Sequence, residues 1–140
     1  MKKRVNVSER SITKDIVFGH VMSKPENCRR LLQRILPHLN ITSVHVKSQE
    51  VIDEGAKEKG VRLDIMARDD QGRLYDIEMQ VVRQEYIGKR IRYYQSQIDK
   101  NSLKRGKDYT ELADSYIIFL CPYDPFYHNL MKNARKSPVF

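Results

Sequence analysis

The chain has 140 residues, 40% hydrophobic and 31% charged, and its 26 Lys and Arg against 18 Asp and Glu leave a net charge of +8. That length suits one soluble domain, able to bury roughly two-thirds of the surface its unfolded chain would expose. The longest apolar run, 117–121, is far too short to cross a bilayer; no apolar segment follows the basic start Met1-Lys2-Lys3-Arg4, as it would in a secretory leader; and Cys28 and Cys121, widely separated, suggest small apolar fillers rather than a zinc site or a disulfide framework.

Residues 1–10 are polar and basic and read as a flexible arm. Ile16, Val17, Val21 and Met22 predict a short helix over 13–22, capped by Thr13. Pro25 suits the first turn of a second helix, which carries Cys28, Leu31, Leu32, Ile35 and Leu36 at helical spacing and ends at Pro37. A strand is expected over 41–52 and a charged loop over 54–60. Strand-like runs at 61–66 and 74–81 flank Asp69-Asp70-Gln71-Gly72, a cluster that reverses a chain, so together they predict a hairpin. Residues 84–103 read as a long amphipathic helix, with Ile87, Ile91, Tyr94 and Ile98 as its apolar stripe and Gly106 marking its end. The continuous apolar run 116–121 suits a strand buried on both faces and is stopped by Pro122 and Pro125. Residues 127–140 show no clean period and are left unassigned. The order αβββαβ implies an α/β domain of the α+β kind, a mixed sheet with helices on its faces.

Side chains alternate along a strand, and residues two apart share a face at roughly 7 Å spacing. Asp76, Glu78 and Gln80 therefore point one way, and Tyr75, Ile77, Met79 and Val81 the other. On the preceding strand Arg62, Asp64 and Met66 share one face, and Leu63, Ile65 and Ala67 its opposite. Burying several polar side chains on a packed face is costly unless something pairs with them. A divalent cation such as Mg²⁺ or Mn²⁺, which favours oxygen ligands and keeps several waters, would do so. It would polarise a scissile phosphate, help generate hydroxide and neutralise the leaving oxygen. Gln80 could orient the attacking water without adding charge. An ordinary hairpin with one solvated face alternates in the same way.

Charge is unevenly spread. Eight Lys and Arg against Glu85 and Asp99 fall between 83 and 107, whereas five acids against Arg68 and Arg73 fall between 64 and 78. An acidic spot beside a basic helix suits a metal site facing a polyanion, although a solvated helix face has the same composition. The four histidines (His20, His38, His45 and His128) lack metal-ligand spacing, and the six glycines form no phosphate loop. Of the eight tyrosines, Tyr93 is the better placed of the adjacent helical pair Tyr93 and Tyr94 to stack on a base.

Asp64, followed by Glu78-Met79-Gln80 on the next strand, looks like the PD-(D/E)XK nuclease signature in its D…ExQ form. Five blocks in order, TKDIVF (13–18), VRLD (61–64), YDIEMQ (75–80), KRIRYYQ (89–95) and IFLCPYDPF (118–126), resemble the recombination-promoting nuclease family, PD-(D/E)XK nuclease transposases, over residues 11–126. The resemblance implies a restriction-endonuclease-like fold and a Mg²⁺-dependent (or Mn²⁺-dependent) DNA endonuclease working in recombination or mobile elements. By position, Asp64 and Glu78 would be metal ligands, with the Met79 backbone carbonyl also facing the metal. Gln80 would stand where the family's lysine or glutamine orients the nucleophile, and Asp15 and Asp76 would be accessory acids. Arg90 and Tyr94 would lie near phosphate, with Lys89, Arg92 and Tyr93 as further DNA contacts; a surface cation and a core aromatic are the ordinary readings of Arg90 and Tyr94. The segment from His128 departs from the family's continuation, as a truncated or frameshifted copy would. A nucleic-acid-binding remnant without turnover, and a non-enzymatic regulator that pairs with longer relatives, therefore stand beside the endonuclease reading. The expected setting is cytoplasmic and nucleoid-associated, with DNA as partner, no membrane, and a homo-oligomer left open.

Overall fold

The computed structural model describes residues 15–52 and 61–127. The basic arm, the Thr13 cap, the 54–60 loop and the segment from 128 onward lie outside the described residues. The chain opens with helices α1 (Asp15–Met22) and α2 (Pro25–Ile35). Pro25 can begin α2 because its fixed φ is already helical and its missing N–H would be unpaired there anyway. Glu26, in the first turn, pairs with Arg29 at 3.0 Å and Arg30 at 2.8 Å. The helix ends as the Leu36 N–H closes on the Leu32 carbonyl, just before Pro37.

Strands β1 (Val44–Ile52), β2 (Val61–Asp69) and β3 (Leu74–Met79) follow, then helix α3 (Ile87–Ser102), a short 3₁₀ turn (Tyr109–Glu111) and strand β4 (Ser115–Leu120). The sheet order is β1-β2-β3-β4. β1–β2 and β2–β3 are antiparallel, and β3–β4 is parallel. A parallel pair needs a crossover, and α3 supplies it.

The β2–β3 turn is built by Asp69, whose Oδ1 accepts from the Gln71 and Arg73 N–H groups, each at 2.9 Å. Gly72 completes the reversal at φ 81°. The other carboxylate oxygen of Asp69 accepts from Tyr75 Oη at 2.7 Å and Arg73 Nε at 2.6 Å, and Arg73 Nη2 continues to the Asn40 carbonyl at 2.8 Å. Burial works against ionising Asp69, but the Tyr75 and Arg73 donors outweigh it and hold the carboxyl below its ordinary range.

The two sheet faces differ. One carries Ile65, Ala67, Tyr75 and Ile77 against Phe18 of α1, Cys28 and Leu32 of α2, and Ile41. On this side Tyr75 stacks on Tyr116 with ring centres 5.4 Å apart. The other face packs Leu74 against Ile98 of α3, joined by Met66, Tyr93, Tyr94, Ala113 and Ile117.

Several boundaries depart from expectation. β1 begins at Val44 rather than 41: Ile41 is a core residue whose N–H is taken by Gln33 Oε1 at 3.0 Å, outside any ladder. β3 ends at Met79 and α3 begins at Ile87. Between them the chain is tied to the segment after β4, with Tyr123 Oη donating to the Val82 carbonyl at 2.9 Å and Arg83 Nη1 to the Asp124 carbonyl at 2.9 Å. The run 116–121 does pack on both faces, with Tyr116, Ile118 and Leu120 against one core and Ile117 against the other, but β4 is the last strand in the described sheet, and all six of its residues are half-buried rather than buried. An apolar run reports affinity for a core, but strand order decides whether neighbours stand on both sides.

Candidate active site

β2 and β3 pair Ile65 with Ile77 and Met66 with Asp76, so one further step of the same register sets Asp64 across from Glu78. Side chains directly opposite in an antiparallel pair lie close, with Cβ atoms roughly 5 Å apart. The Asp64 N–H donates to Glu78 Oε1 at 2.9 Å, and the Met79 N–H donates to Asp64 Oδ2 at 3.3 Å. Each carboxylate thus leans across to the other's strand, and both sit on the α3 side of the sheet.

Asp76 lies on that same side, one pleat nearer the turn. It is wholly buried, and among the described residues no group donates a hydrogen bond to either of its carboxylate oxygens. Burial first, then the charge of Glu78, pushes its pKa up from 3.8 to about 9. Glu78 is also raised: burial is the main cause, the Asp64 N–H acts against it, and the Asp64 charge adds to it.

Gln80 follows on the same side. Its backbone N–H donates to the Leu120 carbonyl at 3.0 Å, extending the β3–β4 contact past the end of β3. Its amide Nε2 donates to the Val82 carbonyl at 2.5 Å, and its Oε1 accepts from Arg90 Nη1 at 2.5 Å. Arg90 also donates to Gln84 Oε1 at 2.8 Å and, through Nη2, to Tyr94 Oη at 2.9 Å. Its guanidinium lies 5.2 Å from the Tyr94 ring centre and 5.1 Å from that of Phe119, and Nη2 is 3.9 Å from Glu78 Oε2. One turn of α3 separates Arg90 from Tyr94, so both reach the same patch.

The structure therefore brings Asp64, Asp76, Glu78, Gln80, Arg90 and Tyr94 together. Met79 sends its side chain into the opposite core and its N–H to Asp64. Tyr93 packs half-buried against the Leu74–Ile98 cluster. Lys89 and Arg92 are exposed on α3, with Lys89 Nζ 5.1 Å from the Tyr86 ring centre. Asp15 opens α1, the helix whose Phe18 packs into the other face; the Asp15 side chain lies outside the described residues. Gln84 and Phe119 were not anticipated at the site. Alternation along β4 places Phe119 level with Ile117 on the α3 side, a signal that becomes readable only once the neighbouring strand is known.

Among the described residues no three His, Cys, Asp or Glu side chains form a ready-made metal cluster. The donors at hand are two facing carboxylates with backbone and amide oxygens near them. That set fits a hard cation that retains several waters, and it lacks the nitrogen and sulfur ligands typical of zinc. The buried Asp76 oxygens without donors and the two raised carboxyls mark a place short of positive charge, so the residues fit a hard divalent cation.

Among the described residues, no helix is long and apolar enough to cross a membrane. No curated protein and no solved structure matches the chain. A family model described as PD-(D/E)XK nuclease family transposase matches residues 12–137, and the mixed four-stranded sheet with its helices is consistent with the restriction-endonuclease-like fold of such nucleases.

Proposed function

The chain belongs to the PD-(D/E)XK nuclease family transposases, and from that premise we propose that it is a metal-dependent DNA endonuclease serving recombination or mobile elements, and acting in the cytoplasm at the nucleoid. Asp64, Glu78 and the Met79 carbonyl would hold Mg²⁺ or Mn²⁺. The bound ion would supply charge stabilisation at the phosphate and a water of lowered pKa. Asp64 and Glu78 hold their carboxylates in place through each other's strands. Gln80 presents a carbonyl oxygen with a second lone pair, which can accept from a water and aim it. Arg90 fixes that oxygen's position and lies beside Glu78 as a counter-charge.

The observation that carries this reading is the mutual contact of Asp64 and Glu78 across β2 and β3. Plasmid incubated with the protein and Mg²⁺ should be nicked, and EDTA should abolish the nicking. Asp64→Asn and Glu78→Gln should each slow it by about 100-fold or more, because each removes several kcal/mol of charge stabilisation. Nicking by Glu78→Gln at the wild-type rate would remove the proposal. A second reading, DNA binding without turnover, is favoured by Gln80, both ends of whose amide are already engaged within the protein. It requires salt-sensitive DNA binding with no cleavage under any divalent cation.

A further inference from the structure

On the side of the sheet that carries Asp64 and Glu78, α3 packs over β3 and β4 through Ile98, Leu74 and Ile117. Beside its C-terminal end a groove of about 160 Å³ remains open, bounded on the sheet by β1 and β2. His45 and Lys47 of β1, Arg68 of β2, and Asn101 and Ser102 of α3 line it around Met66. Among the described residues no acidic side chain lines the groove, and His45, Lys47, Arg68 and Asn101 are exposed.

The strand register makes the three basic side chains one block, since His45 pairs with Arg68 and Lys47 with Met66. Met66 and Arg68 lie two and four residues from Asp64, on the same side of β2. They are thus roughly 7 Å and 14 Å along the strand from the carboxylate. A DNA backbone that crosses Asp64 and Glu78 and then follows β2 brings the phosphates next to the reacting one against this block. On α3, meanwhile, Arg90 turns its donors inward to Gln80, Gln84 and Tyr94, and Tyr93 packs into the core cluster.

We propose that this β1–β2 groove is the track for the DNA strand leading away from the cleavage site. Lys47, Arg68 and His45 contact its phosphates, Asn101 and Ser102 add neutral hydrogen bonds to the same backbone, and Met66 gives a sugar an apolar seat. The direction of the strand rests on the endonuclease reading; phosphate binding in the groove does not. The test is fluorescence anisotropy of a labelled DNA duplex with the full chain, in EDTA so that cutting cannot interfere, over a series of salt concentrations. Lys47→Ala and Arg68→Ala should each weaken binding several-fold and lower the slope of log K against log salt by about one. Arg34→Ala, an equal charge change on α2 against the opposite sheet face, should leave the slope unchanged; thermal melting confirms that all variants are folded. The proposal is overturned if the wild type does not bind the duplex, or if both groove variants keep the wild-type slope while Lys89→Ala or Arg92→Ala lowers it. Lowered slopes in a protein that cuts nothing would uphold the track and remove the endonuclease reading. Normal slopes in a protein that cuts would do the reverse.

Discussion

Asp76 shows how far the surroundings of one side chain can be read before its neighbours are known. Alternation placed it on the same side as Glu78, but alternation reports a side and not a depth, and it could not show that both oxygens would be buried without a donor. The consequence is a pH dependence with a definite sign. Burial and the Glu78 charge raise Asp76 from 3.8 to about 9. Between those values the native protein keeps a proton that the unfolded chain releases, so stability falls as pH rises through that window. The slope can reach about 1.4 kcal/mol per pH unit. In EDTA, Asp76→Asn should flatten this decline and melt above the wild type by a margin that widens towards pH 9. Parallel melting curves for the two proteins would show that Asp76 is ionised in the fold. Arg90 teaches a similar lesson: its spacing from Tyr94 was legible, but the direction of its guanidinium was not, because Gln80 and Phe119 come from elements distant in sequence.

Among the elements, the β2–β3 hairpin was the most legible, because turn chemistry and strand alternation agree there. Asp69 accepts from the two turn N–H groups, and Gly72 sits at positive φ. A Cβ at Gly72 would meet nothing within 4 Å, so the cost of Gly72→Ala is backbone strain alone. It should lower unfolding free energy by about 1–2 kcal/mol in a urea titration, without altering the far side of the sheet. The start of α3 was less legible. Residues 84–86 have no helix-breaking signature, yet contacts between 82–83 and 123–124 tie the preceding chain to the segment after β4. The depth to which β4 is buried was not legible for a related reason: composition alone cannot distinguish a central strand from one reached last by a crossover helix.

Across the whole molecule the sheet divides two tasks between its faces. The face towards α1 and α2 is an apolar core, while the face towards α3 combines a smaller core with the carboxylates. The second face gathers Asp64, Asp76 and Glu78 around little positive charge, so a ligand cation should stabilise the entire fold. A cation at a hundred times its dissociation constant adds roughly 2.7 kcal/mol to a protein that binds it only when folded. Mg²⁺ or Mn²⁺ should therefore raise the wild-type melting temperature in a concentration-dependent way, and Glu78→Gln should lose most of that rise. An equal rise in both proteins would place the ion elsewhere.

The pairing of Ile65 with Ile77 carries one more consequence, for how such a chain can change over time. Adding or deleting one residue within β3, between Tyr75 and Glu78, shifts parity, turning the carboxylate towards the tyrosine stack and an aliphatic side chain towards the α3 side. Adding or deleting two restores it. Length variation is therefore constrained in even steps within β3 but not in the turn before it, and a frame-preserving codon loss inside the strand would part the two carboxylates while leaving every remaining amino acid unaltered.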